Sequence, residues 1–357
     1  MGLDITEKCK IARRKVMTEV KHNNVKYPST NQFRNVIQHI TKAERFCGVD
    51  ENNNAIYDPF KTLPTIPYIA TVKLHGTNGS MIMFEDQTLY FQSKERLLSF
   101  GYDNAGFWEH MQRSDKTYLF DLVKEKYLET HQELKYPIII AGEWCGKGIQ
   151  KGVAVSELNK MFVVFGVKVG EDWQPQEEYS HIFNHAENIY NTLEFPHWEV
   201  VIDFNEPEIA QAQIVDLTLK VEQECPVGKH FGVSGIGEGV VLKPKDGKYC
   251  LNSGSWFKSK GEKHSSSKVK KLAAVDTEKL ANIQEFIDYT VTESRLNQML
   301  AEVKPETLSQ IGECIKWMNF DIIKEESDTM ADNNLEMKDC GRYIAQKVKD
   351  FVIKSLS

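Results

Sequence analysis

Lys73, Glu143, Glu238, Lys258 and Lys260 are the side chains of this 357-residue sequence whose types and spacing could do chemistry: an amine nucleophile, two acids and a pair of cations. Lys73 follows the apolar run "PYIATV" and enters the polar stretch Gly76-Thr77-Asn78-Gly79, ahead of a second apolar run. A lysine so placed has two readings. It ends a strand in a hairpin, or it stands at the rim of a pocket between sheets as a nucleophile. Burial and nearby cations lower an ammonium's pKa, and a neutral amine attacks electrophiles. The pattern Lys-x-x-Gly decides nothing alone, because it recurs at Lys229, Lys258 and Lys338.

The other four residues add context. Glu238 opens "GEGVVLKP" between glycines that let other groups approach closely. Lys258 and Lys260, in "WFKSKGEKHS", are two apart and share one face of a strand. Two ammonium groups converging there repel each other unless an anion lies between them. Glu143 follows a run of isoleucines in the glycine-rich "AGEWCGKGIQKG", which lacks the GK[ST] of a phosphate loop but suits a loop that hugs a ligand. "KMFVVFGVK" carries Phe165-Gly166, an aromatic on which a base can stack.

Competing chemistries are weaker. His181 and His185 lie four apart on an expected helix, a legal metal spacing without a third ligand, and read as surface residues. Cys145 has no local histidine to activate it. The seven cysteines are scattered without a CxxC pair, which favours a reducing compartment and disfavours a disulfide scaffold or a zinc site. Trp317, Phe320 and Ile323 read as helix packing rather than a stacking platform.

The elements that must position these residues follow from periodicity. Residues 1–24 read as an appended basic helix with Lys8, Lys10, Arg13, Arg14 and Lys15, yet with too many acids for a transit peptide, so the expected location is cytoplasmic. A polar insert over 47–66 delays the first strong strand. "PYIATVK", "SMIMFE" and "TLYFQSK" then alternate as a meander. "YPIIIAGEW", "KMFVVFGVKV", "WEVVIDF" and "GVVLKPK" are further strands, with helices expected over "QPQEEYSHIFNHAENIYNTL" and "EIAQAQIVDLTLKVEQ". This irregular mixture predicts α+β with antiparallel sheets.

From about 272 to 357 the pattern is helical throughout. Leu280, Ile283 and Ile287 share one face, Thr292 caps the helix of Leu296, Met299 and Leu300, and a third helix opens at Pro305. The net charge of −7 does not advertise a nucleic-acid binder, but nine lysines against Asp246 and Glu262 between Lys243 and Lys271 form a locally basic strip. No run approaches the ~18 apolar residues of a membrane helix.

Taken in order, a lysine, an acid, an aromatic, a second acid and a lysine pair resemble the covalent nucleotidyltransferases, the polynucleotide ligases and mRNA capping enzymes. Within them the sequence is similar to the RNA ligase 2 family of phage nick-sealing and kinetoplastid RNA-editing ligases. "KLHGTN" resembles that family's motif I, "QSKERL" motif Ia, "GEWCGKGIQKG" its glutamate loop, "KMFVVFGVK" motif III, "GEGVVLKP" motif IV and "WFKSKGEKHS" motif V. The resemblance spans roughly residues 25–300. "FIDYTVTESRLNQML" looks like the start of the family's C-terminal domain.

The resemblance implies a nucleotidyltransferase fold, with ATP-grasp-like antiparallel sheets and flanking helices over 25–271 and an all-helical RNA-binding domain over 272–357. It implies an ATP-dependent RNA ligase, a monomer that uses Mg²⁺ or Mn²⁺ and engages RNA ends or nicked duplexes away from membranes. Lys73 attacks the ATP α-phosphate, expels pyrophosphate and carries AMP. Lys258 and Lys260 contact that phosphate and, before nucleotide binds, help depress the Lys73 pKa. Glu238 lies near the lysine and the metal, Glu143 holds a ribose hydroxyl, and Phe165 stacks on adenine. His75, where many ligases carry Asp, and Gly76 belong to the same nucleotide site. Lys94 touches ribose or substrate phosphate, with Arg96 the weaker alternative, and Lys347 and Lys349 are possible phosphate contacts on the helical domain.

Gly166 departs from the Asp common after the motif III aromatic, and the 1–24 and 47–66 segments are additions without an assigned role. Two other readings stay open: a DNA ligase or capping enzyme, disfavoured by the absence of a β-barrel pattern after motif V, and a nucleic-acid-binding protein that has lost catalysis.

Overall fold

The structure is a computed structural model and describes residues 22–51, 53–245, 247–261, 283–332 and 335–356. The basic helix expected near the N-terminus, the lysine strip beyond Gly261, the boundary near 272 and Leu280 lie outside the described residues.

Helix α1 (Phe33–Arg45) buries Val36 and Ile40, four apart on one face. The expected polar insert forms a two-stranded ribbon, β1 (Phe46–Val49) with β2 (Ala55–Tyr57). β3 (Thr65–Val72), β4 (Thr77–Met83) and β5 (Leu89–Ser93) follow, then α2 (Phe107–Met111), α3 (Thr117–Leu128), β6 (Ile138–Cys145), β7 (Met161–Val169), β8 (Asp172–Trp173), β9 (Ile189–Asn191) and β10 (His197–Asp203). α4 (Pro207–Gln223), α5 (Pro226–His230), β11 (Gly239–Pro244) and β12 (Phe257–Lys260) complete the sheets and their flanks.

Two antiparallel sheets result. One has the order β10-β3-β11-β12; the other runs β5-β4-β6-β7-β8, with β9 parallel beside β7. Period-two alternation sorts the side chains. Tyr68, Ala70 and Val72 of β3, Val240 and Leu242 of β11, and Phe257 of β12 pack with α1 and α4. Met81, Met83, Ile138, Ile140 and Phe162 of the larger sheet pack with α2 and α3. The opposite faces turn toward each other, and Ile82, Ile139, Ala141, Trp173 and Trp256 cluster there.

The expected meander is therefore wrong in one respect. β4 and β5 pair, but β3 belongs to the other sheet, and residues 73–76 carry the chain across. Thr77, Asn78 and Gly79 are strand, paired with Trp144, Glu143 and Gly142, rather than a turn. The helix expected over "QPQEEYSHIFNHAENIYNTL" is also absent: it breaks into 3-10 turns and β9. Asn184 accepts from the Ala186 N–H and Asn191 from the Leu193 N–H, and such local side-chain bonds compete with helix formation. His181 and His185 consequently share no helix. His185 Nε2 lies 2.6 Å from Glu194 Oε1.

The C-terminal helices are α6 (Ile283–Thr290), α7 (Glu293–Val303), α8 (Ile311–Asp332) and α9 (Met337–Leu356). They share a core of Phe286, Ile287, Leu296, Met299, Met318, Ile322, Ile344 and Val348. Thr292 caps α7 as expected, accepting from the Arg295 N–H. α8 begins six residues beyond Pro305, because Gln310 Oε1 accepts from the Glu306 and Thr307 N–H groups and holds a 3-10 turn there. On α8, Met318 and Ile322 take the inward face; Trp317 packs at its edge, while Phe320 and Ile323 are exposed, against expectation.

Candidate active site

The crossing from β3 to β4 delivers Lys73 into the space between the sheets. Its backbone N–H donates to the Gly239 carbonyl at 2.8 Å, locking the end of β3 to the start of β11. A Cβ on Gly239 would lie 2.1 Å from the Ser259 carbonyl oxygen, and its φ of +143° is one that side chains rarely adopt, so glycine is required beside Glu238. Gly76 is equally constrained: a Cβ would lie 2.3 Å from the Trp144 carbonyl oxygen. That close approach lets the Gly76 N–H donate to Glu143 Oε1 at 3.0 Å.

Strand parity gathers the cations. Lys258 pairs with Val241 and Lys260 with Gly239, both facing away from the Phe257 core as the i, i+2 spacing predicts. Lys73 Nζ donates to Glu238 Oε2 at 2.7 Å, and Lys260 Nζ lies 3.2 Å from Glu238 Oε1. His75 Nδ1 is 3.3 Å from Glu238 Oε2. The anion that two lysines require is supplied twice, by Glu238 at Lys260 and by Glu325 of α8, whose Oε1 is 3.4 Å from Lys258 Nζ.

The electrostatics follow. Burial alone would push the Glu238 carboxyl upward, but Lys73, Lys260 and His75 hold it well below the usual carboxylate range. Burial works to lower the Lys73 ammonium, yet Glu238 and Glu143 outweigh it and the net shift is upward. The expectation that Lys73 rests with a depressed pKa is therefore corrected. Its neighbouring carboxylates are closer in effect than the neighbouring lysines, so the resting group is an ammonium. Glu143 is pushed up to about 7, by burial first and by Glu238 in addition, with Lys73 and the Gly76 N–H opposing. Lys258 is shifted down by burial, with Lys260 and Lys73 adding and Glu325 opposing.

Phe165 follows Met161 and Val163 on the face of β7 that meets the other sheet. Ala141 pairs with Gly166 and Gly142 with Val164, leaving Phe165 as the extra residue of a bulge. The ring packs 5.1 Å from the Tyr27 ring and 5.2 Å from Lys243 Nζ. Lys243 also donates to the Phe165 carbonyl and lies 4.0 Å from the Trp256 ring centroid. A small cavity is lined by Phe165, Gly166, Trp173, Lys243 and Trp256, so Gly166 opens space where an aspartate was the alternative.

Lys73, His75, Gly76, Glu143, Glu238, Lys258 and Lys260 thus converge. Phe165 joins through Tyr27, a neighbour of Glu143. Lys94 stands at the margin, its Nζ 3.2 Å from Ser29 Oγ, and Arg96 is exposed, donating to the Asp103 carbonyl. Lys347 is paired with Asp288 on the helical domain. Sequence reasoning missed Tyr27, Asn78, Lys243 and Glu325. Asn78 Oδ1 is buried without a hydrogen-bond partner among the described residues, on the strand that pairs with Glu143. Lys243 had a signal: it lies two positions after Val241 and shares its face. Glu325 had none, since only the tertiary fold brings α8 to β12.

Two antiparallel sheets thus meet around a lysine and a carboxylate, with a lysine pair on the edge strand β12. The chain belongs to the RNA ligase family, whose sequence model matches residues 66–260. No curated protein matches. Among solved structures it is similar to an RNA ligase of Naegleria gruberi with pyrophosphate, at 15% identity over 69% of this chain and 60% of that one, TM-score 0.42. A variant of that ligase with AMP and Mn matches at 15% identity over 69% and 59%, TM-score 0.42. A second variant, with ATP and Mn, matches at 16% over 69% and 60%, TM-score 0.43. The chain spans about 60% of the first of these structures.

Proposed function

We propose that this protein is an ATP-dependent RNA ligase that seals 3′-hydroxyl and 5′-phosphate ends at nicks in duplex RNA. The observation that carries the reading is the 2.7 Å contact of Lys73 Nζ with Glu238, inside a ring that also holds His75 and Lys260. A lysine held this firmly is aimed at one point. Lys258 and Lys260 flank that point with positive charge suited to a phosphorane-like transition state.

In this reading the Lys73 ammonium first releases a proton to solvent; the amine then attacks the ATP α-phosphate, the bond to the β-phosphate oxygen breaks, and pyrophosphate leaves. Glu238 orients the amine and, being strongly acidic, is a poor base. Glu143 receives a ribose hydroxyl, and Phe165 lies against adenine near Tyr27 and Lys243, with His75 and Gly76 shaping the wall. AMP then passes to an RNA 5′-phosphate, and a 3′-hydroxyl displaces it. Lys94 meets ribose or the substrate phosphate.

Among the described residues no three His, Cys, Asp or Glu side chains gather as a metal cluster. Glu238 already bonds cationic groups through both oxygens. The donor set fits an ion that enters with ATP, held chiefly by phosphate oxygens and water with Glu238 as the nearest carboxylate. Such an ion, Mg²⁺ or Mn²⁺, neutralises polyphosphate charge.

The division of labour proposed is an N-terminal extension over 1–24, an adenylyltransferase domain over 25–271 and a helical RNA-binding domain over 272–357, acting as a cytoplasmic monomer. Among the described residues no helix is long and apolar enough to cross a membrane. The test is incubation with ATP labelled at the α-phosphate and no nucleic acid. Acid-labile label on the protein that disappears in Lys73→Ala is expected; absence of label, or label surviving that substitution, overturns the reading. Nicked RNA, nicked DNA and single strands then compare substrates.

A further inference from the structure

Glu325 reaches the phosphate lysines from the helical side of the molecule. Its Oε1 lies 3.4 Å from Lys258 Nζ, and both side chains are mostly buried, at 16% and 19% exposed. Its carboxyl is held below the ordinary range: burial opposes this, but Lys258, Lys260 and Lys324 outweigh it. The α8 backbone is pinned at the same residue. The Glu325 carbonyl accepts from Arg34 Nη2 at 2.9 Å and from Gln32 Nε2 at 3.1 Å. Glu326, one position on, faces a different partner set, with Oε2 3.0 Å from Arg34 and Oε1 3.5 Å from Arg295. Adjacent acids on one helix therefore divide two tasks. Glu326 docks α8 onto α1, and Glu325 places a negative charge on Lys258.

We propose that Glu325 is an internal phosphate mimic: it occupies Lys258 in the resting protein, and a polyphosphate must displace it, loosening α8 from the catalytic domain. The inference rests on Lys258 being a phosphate ligand, as in the function proposed above. A carboxylate oxygen meets an ammonium much as a phosphate oxygen does; here Oε1 faces Lys258 at 3.4 Å while Oε2 accepts from Gln32 Nε2 at 3.4 Å, a contact long enough to be displaced. Tethering through α8 keeps the competitor at high effective concentration, so an incoming anion pays for its removal. Once the mimic leaves Lys258, its own charge is left in a mostly buried setting, which disfavours the docked position of α8. Nucleotide occupancy and helical-domain position become linked, and linkage is reciprocal.

The experiment is titration of inorganic pyrophosphate into the full chain by calorimetry at low salt, for wild type, Glu325→Gln and Glu325→Asp. Hydrogen exchange over residues 311–332 is followed in parallel. Glu325→Gln should bind pyrophosphate roughly three- to tenfold tighter, the scale of one ordinary hydrogen bond, as suits a contact as long as 3.4 Å. Glu325→Asp, which keeps the charge on a shorter arm, should fall between. Pyrophosphate should speed exchange in α8 of the wild type, whereas α8 of Glu325→Gln, which has no charge to displace, should not respond to it.

Equal or weaker binding by Glu325→Gln, no binding by any form, or wild-type α8 exchange indifferent to pyrophosphate would each overturn the proposal. Coincident thermal melts for the catalytic core guard against a folding defect, and if Glu325→Gln does not fold, Glu325→Asp decides alone. The α-labelled ATP assay separates the two readings. A wild type that takes no label but shows tighter pyrophosphate binding on Glu325→Gln loses the ligase and keeps the mimic. A labelled wild type with unchanged pyrophosphate affinity in the variant loses the mimic alone.

Discussion

Lys243 is the residue whose resting state differs most from its sequence appearance. It is buried, donates to the Phe165 carbonyl and lies over the Trp256 ring, and burial pushes its pKa down to about 7. The aromatic faces work the other way, since they favour the charged form. The sign of the stability effect is fixed by the ordinary value of 10.5. Below about pH 7 folded and unfolded chains both hold the proton, and the folded chain bears the full cost of a buried charge. Between pH 7 and 10 the unfolded chain binds more protons, so stability rises with pH. Denaturant titrations at pH 6.5, 8 and 9.5 should show this rise in wild type and a flatter dependence in Lys243→Met. Lys73 behaves oppositely, because its carboxylate neighbours raise its pKa. Labelling by ATP should therefore still be climbing with pH at pH 9; a plateau by pH 7 would mean that the amine is already free in the resting site.

At the scale of elements, the strands that carry Glu143, Lys258 and Lys260, and those that end just before Lys73 or begin just after Glu238, were legible because alternation and short turns are local properties. Three things were not. The partner of β3 is set by long-range pairing with β10 and β11, which no local pattern encodes, so it was read into a meander with β4. The 174–193 stretch has helical composition, but Asn184 and Asn191 bond their own backbone and break it. The bulge at Phe165 depends on register between β6 and β7. Gly76 offers a direct test of the crossing between sheets. Gly76→Ala puts a methyl against the Trp144 carbonyl and Cys145, and should cost about 1–3 kcal/mol in denaturant unfolding, the range for overpacking. Gly312→Ala is the control, with open space around the new methyl in a helix, and should be neutral or stabilising by up to ~1 kcal/mol.

For the whole molecule, the contacts that couple the two sheets to the helical bundle among the described residues include a charge chain. Arg34 of α1 donates to the Glu325 carbonyl and to Glu326, and lies 3.4 Å from Tyr289 Oη. Glu326, fully buried, also faces Arg295, which in turn bonds Asp321 at 2.9 Å. Removing one member leaves a buried partner poorly compensated, which costs more than the pair contributes when intact. Arg34→Ala should therefore lower stability by about 1.5–3 kcal/mol, the value of hydrogen bonds to charged groups. The loss should fall on docking rather than on either core. The bundle keeps Phe286, Met299, Met318 and Ile344, and the sheets keep Tyr68, Leu242 and Phe257. Calorimetry of Arg34→Ala should accordingly resolve two transitions where wild type shows one, with the earlier transition assigned to helices α6–α9 by hydrogen exchange. A single transition shifted as a unit would instead mean that the remaining contacts, including Gln32 with the Glu325 carbonyl, suffice to hold both parts in one cooperative fold.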